Sequence, residues 1–364
     1  MNPHGFKLNN LEDNYSNQAT TDSAVQATTD TAVNGGTNSV KNIFRSHARE
    51  LAVLLVIIGL VFSDLVLIGR TNVLADKERE PLTAAVITSD PPPPAPPPPV
   101  IPVDPYADLI LEARAAIVLD LNTDEVLFEK DSHLKLPLAS ITKLMTALLA
   151  DELLTPATII TVDDEAIKAD GDSGLLAGER FFRKKLSDFS LIVSSNDAAH
   201  ALATAGGNTL VPGAGVSAFV SAMNTRAREI GLYDTDFYNP TGLDESDTES
   251  GGLGTADDVA KLLNHIINHN PDLVEVTNKE QLQIANVDGG VHKVHNTNNA
   301  VINIPGLIAS KTGFTELAGG NLAIVYDVGL GHLIAIVVLG SSLDGRFSDV
   351  ETLVQLTNKQ FIVN

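Results

Sequence analysis

A proline-rich stretch over residues 91–105 sets the strongest limit on how this chain can fold. Proline lacks a backbone N–H and fixes φ, so such a run joins neither a helix interior nor the middle of a sheet. It favours an extended polyproline II segment, roughly 45 Å long at about 3.1 Å per residue. We therefore predict a stiff spacer within a linker over 70–107, followed by one folded domain over 108–364. A proline-rich ligand for a recognition domain is the alternative.

The residues before the spacer predict a disordered leader and a membrane anchor. Residues 1–50 begin with a polar stretch rich in Asn, Thr and Ser, which cannot bury enough apolar surface to fold. An almost unbroken apolar run over 51–69 is close to the roughly 20 residues that cross a bilayer as a transmembrane helix. Asp64 lies near the C-terminal end of this run, where water or lipid headgroups reach a carboxylate.

Basic residues flank the apolar run on both sides, so the charge rule does not decide its orientation. The long leader favours an uncleaved, single-pass anchor in the cell membrane, and cleavage of a signal peptide near Ala75 is the alternative. No later segment is apolar for long enough to span a bilayer. Both interpretations therefore predict that the folded domain lies outside the cytoplasm.

Composition excludes several classes of function. The chain has no cysteine, which excludes disulfides, thiol catalysis and cysteine-ligated zinc. The formal net charge of −22 argues against nucleic acid as a partner, because phosphate binding requires clustered Lys and Arg. His265 and His269 lack the glutamate of a zinc-protease helix, and the acidic residues over 163–172 are too irregular for a calcium loop. We therefore predict neither a metal nor a cofactor.

Strand patterns at both ends of the folded domain predict its architecture. Residues 115–120 and 125–129 are apolar segments around an Asn-Thr-Asp turn, and residues 308–313, 321–326 and 332–339 are apolar segments near the C-terminus. Helical patterns occupy the middle of the domain. The chain therefore predicts an α+β fold, in which one five-stranded antiparallel sheet is flanked by helices.

Ser140 and Lys143 form a serine–lysine pair on a predicted helix. The apolar residues after Ser140 recur at helical spacing, and residues i and i+3 share one helix face. Ser132 and Lys135 have the same spacing but run into Pro137, which breaks the pattern. A lysine that loses its proton by burial can activate a serine hydroxyl. On spacing alone, however, a capping serine and a solvated lysine are the better explanation.

Three further segments support a catalytic interpretation. They are Ser194-Ser195-Asn196, Lys311-Thr312-Gly313, and a set over 231–244 that includes Gly242-Leu243-Asp244. With Ser140-Ile-Thr-Lys143 they follow the order of the serine–lysine motifs of penicillin-binding enzymes. From Leu109 to its end, the chain resembles the D-alanyl-D-alanine carboxypeptidases, the low-molecular-weight penicillin-binding proteins. The resemblance implies a β-lactamase/transpeptidase-like fold with an additional helical lobe.

The resemblance also implies a role for each catalytic residue. Ser140 is expected to attack the penultimate D-Ala carbonyl of a peptidoglycan stem peptide, and Lys143 to accept its proton. Ser194 is expected to relay a proton to the leaving amine. Asn196 is expected to bind the substrate and to orient the lysine. Ser195 stands where the family usually has glycine.

The second half of the predicted site binds the end of the substrate. By resemblance, Lys311 and Thr312 bind the terminal carboxylate on an edge strand, and Gly313 leaves room for the ligand backbone. The N–H groups of Ser140 and Phe314 are expected to form an oxyanion hole. Arg346 matches a basic position near the carboxylate.

Three other functions stay open at this stage. An endopeptidase that cuts D-Ala cross-links would use the same residues, and an inactive cell-wall-binding protein would use the same cleft. A class A β-lactamase is disfavoured, because its Glu-x-x-Leu-Asn signature is absent: the nearest match, at 229–232, continues with Tyr233. We expect β-lactams to be covalent inhibitors at Ser140.

Overall fold

A computed structural model describes residues 104–171 and 173–362. Its main sheet has five strands in the order β10-β11-β12-β1-β2, and all neighbours are antiparallel. These five strands are β1 Ala115–Asp120, β2 Val126–Lys130, β10 Leu307–Thr315, β11 Gly319–Asp327 and β12 Leu333–Ser341. The sheet joins strands from both ends of the domain, which confirms the predicted fold.

Shorter strands form three small sheets around the main one. β3 Leu136–Pro137 pairs with β7 Gly252–Gly254, which also pairs with β6 Asp236–Phe237. The two hairpins are β4 Ile159–Thr161 with β5 Arg180–Phe182, and β8 Gln281–Ala285 with β9 Val291–His295.

Within residues 104–171 and 173–362, six α-helices accompany the sheets, in addition to short 3₁₀ turns such as Ala139–Thr142 and Glu275–Asn278. They are α1 Lys143–Leu153, α2 Arg183–Ile192, α3 Asn196–Leu210, α4 Gly215–Glu229, α5 Ala256–His269 and α6 Gly345–Ile362. Helices α1 to α4 pack on one another as the predicted helical lobe, α5 packs on β1 and β12, and α6 packs on β11 and β12.

Strand β1 shows why the sheet has helices on both faces. All of its residues are buried, and its side chains alternate between two apolar clusters. Ile117 and Leu119 belong to the cluster that extends into the helical lobe, whereas Ala116 and Val118 pack in the cluster that contains residues of α6. A continuous apolar run is the pattern that a strand covered on both sides requires.

Helix α1 is buried more completely than its apolar stripe predicts. Residues 143–150 are all buried, including Thr146 and the alanines that face away from the predicted stripe. Small side chains allow neighbouring elements to approach α1 closely from several directions. This central helix fixes the position of Lys143.

The structure corrects the predicted start of the folded domain. Tyr106 lies in the range assigned to the linker, yet its side chain is only 6% exposed and its ring packs 5.1 Å from that of Phe128. Its hydroxyl is 2.8 Å from Thr357 Oγ1 on α6. The packed domain therefore includes Tyr106, two residues before the predicted boundary at 108, because this ring completes the cluster beneath α6.

The predicted leader, the predicted anchor over 51–69 with Asp64, and the proline-rich spacer up to residue 103 lie outside the described residues. Within 104–171 and 173–362, no helix is both long enough and apolar enough to cross a membrane.

Candidate active site

The turn that carries Ser140 is held from two sides. Ser140 lies in the 3₁₀ turn Ala139–Thr142, so the α-helix begins at Lys143 rather than at Ser140 as predicted. Ala139 adopts a φ of 48°, a strained value for a residue with a side chain. Asn321 on β11 donates from Nδ2 to the carbonyls of Pro137 and Leu138, at 3.0 Å each. These bonds fix the chain just before the serine.

Gly242 supports the same turn from the other side. Its φ is 79°, and a Cβ at this position would lie 1.8 Å from the Ala139 carbonyl oxygen. Only glycine tolerates both that backbone conformation and this approach. The Gly242-Leu-Asp segment singled out in the sequence therefore packs directly behind the serine turn.

Lys143 is the hydrogen-bond partner of Ser140. Its Nζ donates to Ser140 Oγ at 2.7 Å and to the Thr241 carbonyl at 2.7 Å. The side chain is fully buried. Burial lowers the pKa of Lys143 well below its ordinary value, and the charge of Lys311 lowers it further, whereas Asp197 acts in the opposite direction. The neutral amine that a general base requires is therefore favoured.

Ser194 and Asn196 lie at the start of α3. Ser194 has a φ of 61°, and Ser195 rather than Asn196 or Asp197 caps the helix, because its Oγ accepts from the Ala198 N–H at 3.0 Å. A serine oxygen at the N-cap satisfies a helix N–H that would otherwise lack a partner.

Asn196 does not orient Lys143 in this structure, contrary to the expectation from the family. Its Nδ2 donates to the Asp170 carbonyl at 2.5 Å, and its buried Oδ1 has no hydrogen-bond partner among the described residues. The Thr241 carbonyl holds Lys143 instead. Asn196 as a whole residue is 8% exposed and lies at the start of the helix that follows Ser194.

Lys311 forms a second lysine–serine pair. It lies on β10, which is an edge strand of the main sheet as predicted. Its Nζ donates to Ser194 Oγ at 2.8 Å and to the Thr312 carbonyl at 2.7 Å. Burial, together with the charge of Arg346, lowers the pKa of Lys311 to about 7. Near neutral pH this amine therefore carries a partial positive charge in the site.

Gly313 brings β10 against the serine turn. A Cβ at this position would lie 2.9 Å from the Leu138 carbonyl oxygen and 3.2 Å from the Ser140 nitrogen. Phe314 follows with a ring that is 42% exposed. The predicted oxyanion-hole residues, Ser140 and Phe314, therefore lie at the contact between the turn and the strand.

Arg346 is a buried residue of α6 and lies behind β10. Its Nη1 donates to the Gly313 carbonyl at 2.7 Å, and its charge lowers the pKa of Lys311. The structure thus gives Arg346 a contact with the strand that carries Lys311 and Thr312. Thr312 is also buried, with its Oγ1 2.6 Å from Thr297 Oγ1.

Comparison with known proteins places this site in a family. The profile of the D-alanyl-D-alanine carboxypeptidase family, Peptidase_S11, matches residues 103–342. The chain belongs to this family of carboxypeptidases. All four motif segments of the site lie within the matched range.

Individual members of the family are similar to a large part of the chain. The D-alanyl-D-alanine carboxypeptidase DacF of Bacillus subtilis is 30% identical over 261 residues, covering 70% of this chain. The D-alanyl-D-alanine endopeptidase of Escherichia coli is 31% identical over 217 residues, covering 56% of this chain. The chain spans 64% of the length of each of these two relatives.

A solved structure agrees with the fold. The crystal structure of penicillin-binding protein D2 from Listeria monocytogenes, in its ampicillin-bound form, has a TM-score of 0.57 and is 28% identical. The match covers 68% of this chain and 98% of that one. The five-stranded antiparallel sheet with its helices is therefore the fold of this carboxypeptidase family.

Several residues that shape the site around Ser140 and Lys311 were not predicted from the sequence. Asn321 is fully buried in a strand of apolar residues, and a lone amide in such a strand signals that it must have buried partners. Thr241 acts through its backbone carbonyl, and Thr297 acts through its side-chain hydroxyl. Spacing in the sequence reveals neither contact. Only the folded chain brings them to the lysine and to β10.

The structure offers a physical reason against a metal at the histidine pair of α5. His265 Nε2 is 3.3 Å from Arg226 Nη2, and the rings of His265 and His269 stack 4.4 Å apart. Burial and the Arg226 charge lower the pKa of His265 to about 4. A guanidinium next to the imidazole repels a cation. No group of three or more metal-ligating side chains occurs in the described part of the chain. Thr255 caps this helix, because its Oγ1 accepts a hydrogen bond from the Asp258 N–H.

Proposed function

We propose that this protein is a serine-type D-Ala-D-Ala carboxypeptidase that removes the terminal D-Ala from peptidoglycan stem peptides. The observation that carries the proposal is the 2.7 Å hydrogen bond between Ser140 Oγ and the Nζ of fully buried Lys143. A serine hydroxyl needs an adjacent base to become a nucleophile, and a buried amine beside a second cation has a low enough proton affinity to serve.

Acylation begins when neutral Lys143 accepts the Ser140 proton. The Ser140 oxygen then bonds to the carbonyl carbon of the penultimate D-Ala, and the negative oxygen of the tetrahedral intermediate is stabilised by the N–H groups of Ser140 and Phe314. The bond from this carbon to the leaving nitrogen breaks. Ser194, which contacts Lys311, passes the proton that Lys143 took from Ser140 to that nitrogen, so Lys143 is neutral again. Free D-Ala leaves with a neutral amine, and the peptide is held as an ester on Ser140.

Deacylation consumes one water molecule and regenerates the free enzyme. Lys143 removes a proton from the water, whose oxygen attacks the ester carbonyl. The ester bond breaks, and the proton returns through Lys143 to the Ser140 oxygen. The products are a stem peptide that is one residue shorter and the starting enzyme. The same groups act first as base and then as acid, as reversal of the steps requires.

The terminal carboxylate of the substrate is the group that selects D-Ala-D-Ala ends in this proposal. The partly cationic Lys311 and the Thr312 hydroxyl bind it, while the substrate backbone adds to the edge of β10. Arg346 holds the Gly313 carbonyl and keeps this edge in register with the serine turn. Asn196, at the start of the helix that follows Ser194, binds the peptide through its side-chain amide.

Penicillins are expected to acylate the same serine. The ampicillin-bound form of the Listeria relative supports this extension. Attack of Ser140 on the four-membered ring amide opens that ring, but the amine stays tethered to the acyl group. Because no fragment departs, water reaches the ester poorly and the adduct persists.

We further propose that the protein is held at the cell membrane by residues 51–69, with its folded domain outside the cytoplasm. The length of the apolar run supports an anchor, and the proline-rich spacer would hold the domain near the cell-wall polymer. Protease added to intact cells should then degrade the folded domain. Sequencing the N-terminus of the mature protein separates an anchor from a signal peptide cut near Ala75.

An endopeptidase that cuts D-Ala cross-links is the second candidate, and the similarity to the Escherichia coli endopeptidase favours it. The two activities differ in product. A carboxypeptidase releases free D-Ala from uncross-linked pentapeptides, whereas an endopeptidase converts cross-linked dimers to monomers. Chromatography of both muropeptides after incubation with the full-length enzyme distinguishes them.

A fluorescent penicillin tests the proposal directly. The full-length protein should be labelled covalently and should release D-Ala from a pentapeptide, whereas Ser140→Ala should do neither. Ser221→Ala, which alters an exposed serine of α4, is the matched control and should behave as the wild type. Labelling of Ser140→Ala equal to that of the wild type would refute the nucleophile. A labelled wild type that turns penicillin over rapidly would indicate a β-lactamase, and an unlabelled one would indicate an inactive cell-wall-binding protein.

A further inference from the structure

Thr297 is a residue of the site to which the motifs assign no role. It follows β9, and its Oγ1 lies 2.6 Å from the Oγ1 of Thr312 on β10. Its backbone N–H donates to the Ile192 carbonyl at 3.1 Å, at the end of the helix that leads to Ser194. Thr297 therefore connects the two segments that carry the second lysine–serine pair.

The position of Thr297 is fixed by its neighbours. Asn296 donates from Nδ2 to the carbonyls of Thr277 and Lys279, at 2.8 and 2.9 Å, and its Oδ1 accepts from the Asn298 N–H at 2.8 Å. The Oγ1 of Thr277 in turn accepts from the Ser310 N–H at 2.9 Å, one residue before Lys311. Hydrogen bonds through Thr277 thus connect the turn over 296–298 to β10. These bonds hold the two threonine hydroxyls in contact.

The direction of that hydrogen bond matters for a bound carboxylate. Each threonine hydroxyl has one hydrogen, and a carboxylate only accepts. If Thr312 donated to Thr297, the oxygen lone pairs of Thr312 would face the carboxylate and repel it. If Thr297 donates, the hydrogen of Thr312 is free for the ligand, and the chain of two hydroxyls strengthens the bond to the charged group.

We infer that Thr297 is a positioning residue for carboxylate recognition: by donating to Thr312 Oγ1 at 2.6 Å, it turns the Thr312 hydroxyl towards the carboxylate of the ligand. This inference rests on the proposed function, since the ligand is a D-Ala terminus or the penicillin that mimics it. Thr297 acts through Thr312 and does not itself contact the reacting atoms.

A pair of penicillins separates this role from a merely structural one. The full-length enzyme is acylated with a penicillin that has a free carboxylate and with its methyl ester, which lacks the charge. Thr297→Val, which keeps the shape but loses the hydroxyl, should lower the acylation rate with the free acid roughly 10-fold, because a hydrogen bond to a charged group is weakened. The rate with the ester should stay unchanged. Thr297→Ser should restore the preference for the free acid.

The controls make each outcome informative. Thr161→Val, at an exposed position of β4, should leave both rates unchanged. Should Thr297→Val unfold, as seen by circular dichroism, the comparison is made with Thr297→Ala. Equal losses with both penicillins, or an unchanged preference in a folded variant, would overturn the inference and leave the proposed function standing. A wild type that neither penicillin acylates would overturn both.

Discussion

The site contains two pairs in which a buried lysine contacts a partly buried serine, and the pairs have nearly the same geometry and different neighbours. Lys143 Nζ donates to Ser140 Oγ at 2.7 Å, and Lys311 Nζ donates to Ser194 Oγ at 2.8 Å. Each lysine also donates to a backbone carbonyl at 2.7 Å. The hydrogen bonds alone therefore do not identify the nucleophile.

The surroundings of the two pairs separate their roles. Lys143 lies on the central buried helix, where burial and the charge of Lys311 favour its neutral form. Lys311 retains a pKa of about 7 next to Arg346, so that it is partly cationic near neutral pH. A neutral amine accepts a proton, whereas a cationic amine binds a carboxylate. The comparison teaches that similar pairs acquire different chemistry through the charges and burial around them.

Replacing Lys143 should have the largest effect. Lys143→Ala should lower the acylation rate by about 10³-fold, because loss of a general base removes most of the activation of the serine. Lys143→Arg should fail to restore it, because a guanidinium does not give up its proton. Lys261→Ala, at an exposed lysine of α5, is the control. Acylation of Lys143→Ala by fluorescent penicillin within tenfold of the wild-type rate would show that the base is another group.

Removing Ser194 should have a smaller effect than removing Ser140. Ser194→Ala should still be labelled by penicillin, about 10²-fold more slowly, because it loses a proton relay but keeps the nucleophile. The peptide reaction should slow by a similar factor. Mass spectrometry after labelling locates the adduct, and an adduct on Ser194 in the wild type would reverse the assignment of the two pairs.

The pH dependence of carboxylate binding tests the charge of Lys311. Because its pKa is lowered to about 7, Lys311 is cationic below that pH and neutral above it. The second-order rate of acylation by a penicillin with a free carboxylate should therefore fall as pH rises through about 7. Lys311→Arg keeps its charge, so this alkaline limb should move above pH 9. A limb that stays in place in the variant would assign it to another group.

The fold was predictable because its signals are local and repeated. Apolar segments at 115–120 and 332–339 predict strands, and the turn residues between segments set their ends. The start of α1 was not predictable from the sequence. The segment from Ala139 to Thr142 forms a 3₁₀ turn, which Asn321 and Gly242 hold from distant parts of the chain. Such tertiary contacts override local preference.

Spacing in the sequence accounts for some contacts between the predicted site residues, and tertiary packing accounts for the others. The pairing of Ser140 with Lys143 follows from helical spacing, because three residues span nearly one turn. The contact of Lys311 with Ser194 depends on how β10 packs against the start of α3, which no spacing reveals. The amide of Asn196 bonds to the Asp170 carbonyl because the preceding loop folds over it, so its expected contact with Lys143 is not made.

The smallest expected effect comes from a threonine outside the two pairs. Thr255 Oγ1 accepts from the Asp258 N–H at 3.0 Å and caps α5, so Thr255→Ala should lower the free energy of unfolding by about 1 kcal/mol. Its hydroxyl touches neither lysine–serine pair, and acylation by penicillin should therefore keep its wild-type rate at temperatures where the variant is folded. Thermal unfolding and acylation measured on the same sample check both parts. A loss of acylation in the folded variant would mean that α5 contributes to the chemistry through β1 and β12, on which it packs.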